Sequence, residues 1–412
     1  MKNAIVGQSG GPTPVINSSL AGVYESAMQN GIHKVYGMSH GVVGLMNDEL
    51  IDLEEFLNTD LKIDLLQRTP SSFLGTCRYK LKDWRNDPSE YEKIFKVLNK
   101  HDIGYFFYIG GNDSMDTIAK LAAYGRAIDS PIRFVGVPKT IDNDLAVTDH
   151  CPGYGSAAKY VATVMKEIGR DATCYGTPIV TIVEVMGRNA GWLTAASALS
   201  RHDDFDGVDL ICLPEITFNP QRFIQTVNEL KQKKTAVLIA VSEGIKLEDG
   251  RYVCELAGGA ESTDAFGHKN MTGTCRYLAD VVQNELKVRA RPVELSVLQR
   301  CAGHLTSRTD IEEAYMCGGA AVLAALNRQT GVTVIMRRIS SNPYQIETGL
   351  APCAELANYE KKVPLEWINE NQSDMLQPFL DYATPLIQSE FHPFYVNGLP
   401  YHLGRIGLEK KK

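Results

Sequence analysis

Residues 4–17, Ala4-Ile5-Val6-Gly7-Gln8-Ser9-Gly10-Gly11-Pro12-Thr13-Pro14-Val15-Ile16-Asn17, run from a short apolar stretch through paired glycines into a helix start. That is the grammar of a βα turn. Glycines at a strand end let the backbone approach an anion, and a helix N-terminus behind them offers N–H groups and the positive end of a dipole. The segment fits neither GxxxxGK[ST] nor GxGxxG, so alone it is equally a plain tight turn and a phosphate cradle. The pattern recurs along the chain. Strand-like runs stand at Ala4–Val6, Tyr105–Ile109, Arg133–Val137, Pro178–Val185, Val208–Leu213 and Ala236–Val241. Amphipathic stretches stand at Val15–Asn30, Met115–Tyr124, Tyr154–Gly169, Ala190–Leu199 and Phe223–Lys233. This alternation predicts an α/β fold with mainly parallel sheets, whose ligands bind beyond the carboxyl ends of the strands.

The chain has 412 residues, 44% hydrophobic and 22% charged, enough for two or three domains with cores of their own. A composition change at Asp149–Tyr154, around Cys151-Pro152-Gly153, sets the expected divisions: residues 1–150, 151–330 and a C-terminal extension over 331–412. The extension should carry a strand and helices packed on the core and end in a solvated Lys410-Lys411-Lys412 tail, and later segments can cross back to the first sheet. Nine cysteines without a CxxC pair suit a reduced, cytoplasmic protein. There is no apolar h-region at the N-terminus, and no run approaches the ~18 residues of a bilayer span. A net charge of -7 argues against nucleic acid, so an anionic substrate must be held by a few placed cations. A cytoplasmic enzyme with no membrane partner is the expected class.

Strand ends carry the chemistry. A second glycine pair, Gly110-Gly111-Asn112-Asp113-Ser114, can converge with the first on one polyphosphate. Asp113 cannot bind an anion directly; it either holds a cation such as Mg²⁺, excludes a ligand, or caps the next helix. The third, Lys139-Thr140-Ile141-Asp142-Asn143-Asp144, combines a lysine, a hydroxyl and two carboxylates spaced i, i+2. One carboxylate can take a proton from a substrate hydroxyl while the other orients it or a metal, and Lys139 can neutralise a transferring phosphoryl group. An Asx turn explains Asn143 but not the whole set. Further on, Arg188 follows Met186-Gly187, Glu243 stands ahead of Gly244, and Arg291 and Arg300 flank Pro292–Gln299. Singly, each of these arginines is as well explained by a surface ion pair.

Taken together in this order and spacing, Gly10-Gly11, the Gly110-Gly111-Asn112-Asp113-Ser114 loop, Thr140–Asp144, Met186-Gly187-Arg188, Glu243 and Gln299-Arg300 resemble the phosphofructokinase family. The resemblance covers about residues 3–325. It implies two Rossmann-like three-layer domains with the active site in the cleft between them: residues 1–150 for the phosphoryl donor, 151–330 for the sugar phosphate. It implies phosphoryl transfer to the 1-hydroxyl of fructose 6-phosphate with Asp142 as general base and Asp113 and Lys139 assisting. Gly10, Gly11, Arg78 and Lys139 would contact the donor, and Thr140, Ile141, Asp142, Asp144, Met186, Gly187, Arg188, Glu243 and Arg300 the sugar phosphate. Arg291 resembles the arginine that reaches the substrate phosphate across a subunit interface, which implies a homodimer or homotetramer. Asn112 and Asp113 stand where Mg²⁺ would be held.

The donor separates two branches of the family. ATP-using members resemble one another in having glycine where this chain has Asp113 and Lys139, whereas the diphosphate-dependent branch has Asp and Lys. A carboxylate at Asp113 would repel the α-phosphate of ATP, and Lys139 would compensate the concentrated charge of diphosphate. The expected reaction is therefore reversible, diphosphate-dependent phosphorylation of fructose 6-phosphate in glycolysis and gluconeogenesis; an ATP-dependent enzyme is the alternative. Three positions depart from the family pattern: Asn112 in place of a metal-linked aspartate, Ile179 in place of an arginine, and Val297 in place of His or Tyr. The last two bear on sugar-phosphate recognition and leave sedoheptulose 7-phosphate open as a further substrate.

Overall fold

The computed structural model describes residues 2–174, 176–256, 272–357, 359–404 and 406. Two sheets organise them. The first contains β1 (Asn3–Gln8), β2 (Val35–Met38), β3 (Leu50–Asp52), β4 (Ile103–Gly110) and β5 (Arg133–Pro138). The second contains β6 (Ile179–Val185), β7 (Leu210–Cys212), β8 (Ala236–Ser242) and β9 (Arg289–Glu294). The chain then returns, adding β10 (Val332–Ser341) and β11 (Tyr344–Pro352) to the first sheet, and ends near an isolated hairpin of β12 (Phe394–Val396) and β13 (Leu399–Tyr401). The strand orders are β11-β10-β5-β4-β1-β2-β3 and β7-β8-β6-β9. The second sheet is parallel throughout, and the first is parallel except at its two edges, where β3 and β11 run antiparallel to their neighbours.

Side-chain alternation makes each sheet the middle of three layers. In β4, Phe107 and Ile109 face one core while Phe106 and Tyr108 face the other; β1 splits Ala4 and Val6 from Ile5 the same way. Helices Ile16–Gln29 and Arg308–Leu326 cover the first face, and Ser89–Lys100 and Asn112–Ala127 the second. In the second sheet Val183 and Val185 pack with helix Tyr154–Thr173, while Val180 and Ile182 face Pro220–Lys233 and Thr274–Leu286. The strand runs read from sequence coincide with six of these strands to within a residue or two, and the expected α/β class with two three-layer domains is the class observed.

The chain crosses back to the first sheet after the second. Val332 and Thr333 pair with Val135 and Gly136 and cover the otherwise bare edge of β5. Residues 308–326 return with them. The extension proper begins beyond β11 and places Val363, Ile368, Met375, Phe379, Tyr382 and Leu386 in the core of the second domain. It then crosses back, where the Leu403 N–H donates to Thr69 Oγ1 at 2.9 Å. Lys410-Lys411-Lys412 lies outside the described residues.

Candidate active site

Strand order places the first three loops side by side. β5, β4 and β1 are neighbours, so Lys139–Asp144, Gly110–Asp113 and Gly10-Gly11 share one end of the first sheet. Gly10 adopts a φ of 75°, donates its N–H to Cys77 O at 3.1 Å and accepts from Thr76 Oγ1 at 2.7 Å. Those bonds dock the loop that carries Arg78 onto the glycine pair. Lys139 is only 3% exposed and donates to Gly11 O at 2.7 Å. The positive φ favours glycine at position 10, and both glycines lie beside cations: a Cβ on Gly10 would stand 3.4 Å from Lys139 Nζ, and one on Gly11 3.2 Å from Arg300 Nη1. Arg300 comes from the second domain, so the cradle is closed across the cleft. Burial pushes the Lys139 ammonium down to about 8, with Arg78 and Arg300 adding to the effect against the pull of Asp142 and Asp144.

Asn143 turns the carboxylates into the cleft. It sits at a φ of 54°, donates Nδ2 to Tyr382 Oη at 2.8 Å and accepts the Cys151 N–H at 3.0 Å, so its own side chain points into the protein. Asp142 and Asp144 flank it, and the Asp142 N–H is fixed by Thr140 Oγ1 at 3.0 Å. Burial raises both carboxyls. Lys139, Arg300 and Arg188 oppose the rise at Asp142, while Asp142 adds to it at Asp144 and Glu360 adds at both. Asn112 Nδ2 donates to Asp144 Oδ2 at 3.1 Å, which leaves Asn112 Oδ1 buried without a hydrogen-bond partner. The orphaned oxygen, held by its own amide against Asp144, is the kind of donor a hard divalent cation takes.

The second domain contributes Met186–Asn189 after β6 and Glu243 after β8, again on neighbouring strands. The Gly187 N–H donates to Glu243 Oε1 at 3.3 Å and the Met186 N–H to Gln299 Oε1 at 3.2 Å. Gly244 lies so close that a Cβ there would fall 1.9 Å from Arg188 O. Arg188 is therefore presented by a turn clamped on three sides. Burial pushes Glu243 up to about 8, reinforced by Asp142 and Glu184 and opposed by the Gly187 N–H and Arg188.

Four further positions named from the sequence have settings of their own. Ile141 is 4% exposed and packs in the second-domain core, so its side chain anchors the loop rather than facing a ligand. Arg291 lies on β9 and ion-pairs Asp171 of helix Tyr154–Thr173, outside the cluster formed by this chain. Val297 is 52% exposed on the turn Ser296–Arg300. Ile179 is buried at the start of β6, seven residues and so about 20 Å from the loop that ends it, and its difference from the family leaves this chain's own pocket untouched. Sequence reading missed Asn189, Glu360 and Lys361; Glu360-Lys361-Lys362 looks like any solvated charge run. A Glu184, Cys275 and Glu294 group also has metal-like spacing, but Glu184 already accepts the Cys275 N–H at 2.9 Å and caps helix Thr274–Leu286.

The phosphofructokinase family profile matches residues 3–325. The pyrophosphate–fructose 6-phosphate 1-phosphotransferase of Methylococcus capsulatus is 40% identical over 100% of this chain and 98% of its own. The enzyme of the same name from Halomonas elongata is 40% identical over 97% of this chain and 94% of its own. The crystal structure of pyrophosphate-dependent phosphofructokinase from Marinobacter aquaeolei superposes with a TM-score of 0.87 at 38% identity, covering 98% of this chain and 96% of that one.

Proposed function

The chain belongs to the phosphofructokinase family, and we propose that within it the protein is a diphosphate–fructose-6-phosphate 1-phosphotransferase. The observation that carries this is Lys139. A buried ammonium held 2.7 Å from Gly11 O, on a glycine pair docked by the loop that carries Arg78, makes a short cationic cradle. Such a cradle matches diphosphate and the phosphate it leaves behind. Asp113, in the first turn of the helix next to it, disfavours the longer, anionic tail of ATP. The names of the relatives at 40% identity support the same donor.

In the reaction the 1-hydroxyl oxygen of fructose 6-phosphate attacks the terminal phosphorus of diphosphate. Asp142 accepts the hydroxyl proton, the bridging P–O bond breaks, and phosphate departs. A carboxyl whose proton affinity is raised by burial suits that base, because it holds the proton once taken. Arg188, clamped by Glu243, Gln299 and Gly244, and Arg300 bind the sugar phosphate; Glu243 accepts sugar hydroxyls or, when neutral, donates to them. Phosphofructokinases generally need a divalent metal. Here Mg²⁺ would be held by Asn112 Oδ1, Asp113 and Asp144 and would neutralise diphosphate charge when bound. In the reverse direction phosphate attacks the 1-phosphate of fructose 1,6-bisphosphate and Asp142 returns the proton to the sugar oxygen, so the same groups serve both directions.

The working enzyme is a homo-oligomer in which Arg291 serves a neighbouring active site. Residence in the cytoplasm fits nine cysteines that form no disulfide. Among the described residues no helix is long and apolar enough to cross a membrane. The deciding experiment measures fructose 1,6-bisphosphate formation from fructose 6-phosphate and Mg²⁺ with diphosphate or ATP. Turnover with diphosphate alone is expected; turnover with ATP alone would keep the family and overturn the donor.

A further inference from the structure

Two adjacent residues of the C-terminal segment, both outside the span of the family match, touch both walls of the cleft. On the side of the first domain, the Lys361 N–H donates to Asp144 O at 2.8 Å, and its Nζ to Asp149 O at 2.7 Å and Thr148 O at 3.2 Å. Glu360 forms a bridge with Leu145 on the same loop. On the side of the second domain, Asn189 Nδ2 donates to Glu360 Oε1 at 2.8 Å and Trp192 Nε1 to Lys361 O at 2.8 Å. The Lys361 ammonium also lies 5.1 Å over the Trp192 ring.

We propose that Glu360 and Lys361 form a latch that sets the Met186–Asn189 loop against the Thr140–Asp149 loop, with Glu360 a positioning residue for phosphoryl transfer. The inference rests on the reaction proposed above. The base and the sugar-phosphate arginine belong to different sheets with separate cores, so their spacing is fixed only by contacts that cross the cleft. Asn189 directly follows Arg188, and Leu145 directly follows Asp144, so the latch grips each loop one residue from a group at the site. In-line transfer needs the attacking oxygen near 3–3.5 Å from phosphorus, and a misplacement of about 1 Å costs about 10²-fold in rate. Glu360 touches neither reacting atom. It acts through Asn189 by fixing where Arg188 holds the sugar.

A positioning role separates kcat from KM. Glu360→Ala should lower kcat about 10-fold or more, with the KM for diphosphate within about twofold of the parent and an unchanged Tm, because the lost contact is exposed and aligns rather than binds the donor. Glu360→Gln, whose amide oxygen accepts the same bond, should restore most of kcat. The double variant Glu360→Ala/Asn189→Ala should be no slower than the worse single one, as expected for two ends of one contact. Hydrogen–deuterium exchange of the 186–192 segment should rise in Glu360→Ala, a readout independent of the donor. Assays use whichever donor the parent turns over, so a failed donor assignment would show in the parent and not in the variants. A kcat within twofold of the parent, a loss that Gln does not rescue, additive single effects, or unchanged exchange over 186–192 would each overturn the latch.

Discussion

At the scale of single residues, the site pairs a base with a cation, and each can be tested apart. Asp142 is half-buried and bonded to its own loop through the backbone, so Asp142→Ala removes the proton acceptor and leaves Asn143 and Thr140 to hold the turn. Turnover should fall by at least about 10³-fold, at the upper part of the range for a general base, with the Tm moved by less than about 2 °C. Retained turnover would take the base role from Asp142. Lys139 supplies the pH dependence. Its ammonium is pushed down to about 8, so the free enzyme loses that charge as pH rises through about 8, and kcat/KM for diphosphate should fall above that point. Lys139→Met, uncharged throughout, should give a low profile without this limb; a limb at the same pH in the variant would assign it to another group. Most of these residues were legible in the sequence because strand ends on a parallel sheet must converge. What the sequence did not reveal is where the Ile141 side chain goes, into the core of the second domain. In a loop between two domains alternate side chains face opposite ways, and the apolar one goes to the nearest core.

At the scale of elements, helix pairing and strand return decide how the cleft is built. Helices Ile16–Gln29 and Arg308–Leu326 cross at glycines: a Cβ on Gly22 would fall 2.1 Å from Tyr315 O, and one on Gly318 2.2 Å from Ser19 O and 2.8 Å from Val23 N. Helix propensity alone would make Gly318→Ala stabilising by about 1 kcal/mol. Backbone atoms cannot swing aside as a side chain can, so the helices must part, and overpacking of this kind costs about 1–3 kcal/mol. The net change should be destabilising, read as a lower midpoint in urea unfolding; a raised midpoint would mean the helices slide without loss. That helix, together with β10 and β11, was the part of the fold least legible in the sequence. Val332-Thr333-Val334-Ile335-Met336 is as strand-like as Arg133–Val137, but nothing local says which sheet it joins. The pairing depends on the bare edge of β5, which exists only once the first sheet has formed. The latch at Glu360 and Lys361 was hidden for the same reason: its partners are more than 150 residues away in sequence.

At the scale of the whole molecule, charge as well as packing holds the segment that crosses between the two domains. His150 lies at the crossing from one to the other, 1% exposed, with Nδ1 2.8 Å from Asp149 Oδ2 and Nε2 2.6 Å from Glu313 Oε2. Glu313 also accepts from Tyr344 Oη, and Arg338 Nη2 donates to Asp149 Oδ2 at 2.9 Å. These ties join the crossing segment to helix Arg308–Leu326 and to both returning strands. Burial by itself would lower the His150 pKa from its usual 6.5, but the two carboxylates outweigh burial and push it up to about 9. The sign follows from linkage. The folded state binds the His150 proton more tightly than the unfolded chain, so this stabilisation is complete below about 6.5 and is lost as pH rises through about 9. Thermal unfolding should therefore show a Tm that declines between about pH 7 and 9. In His150→Gln, which keeps a neutral polar side chain but has no proton to lose, the decline should be smaller and the Tm at pH 6 lower than in the parent. An equal decline in both proteins would place the alkaline sensitivity in another group. Because the crossing also carries the loop with Asp142 and Asp144, loss of the His150 charge should loosen the cleft before the separate cores unfold. The limb set by Lys139 is common to parent and His150→Gln, so the ratio of parent to variant turnover at 25 °C should fall towards one between about pH 7 and 9; a ratio that does not change with pH would remove His150 from the cleft.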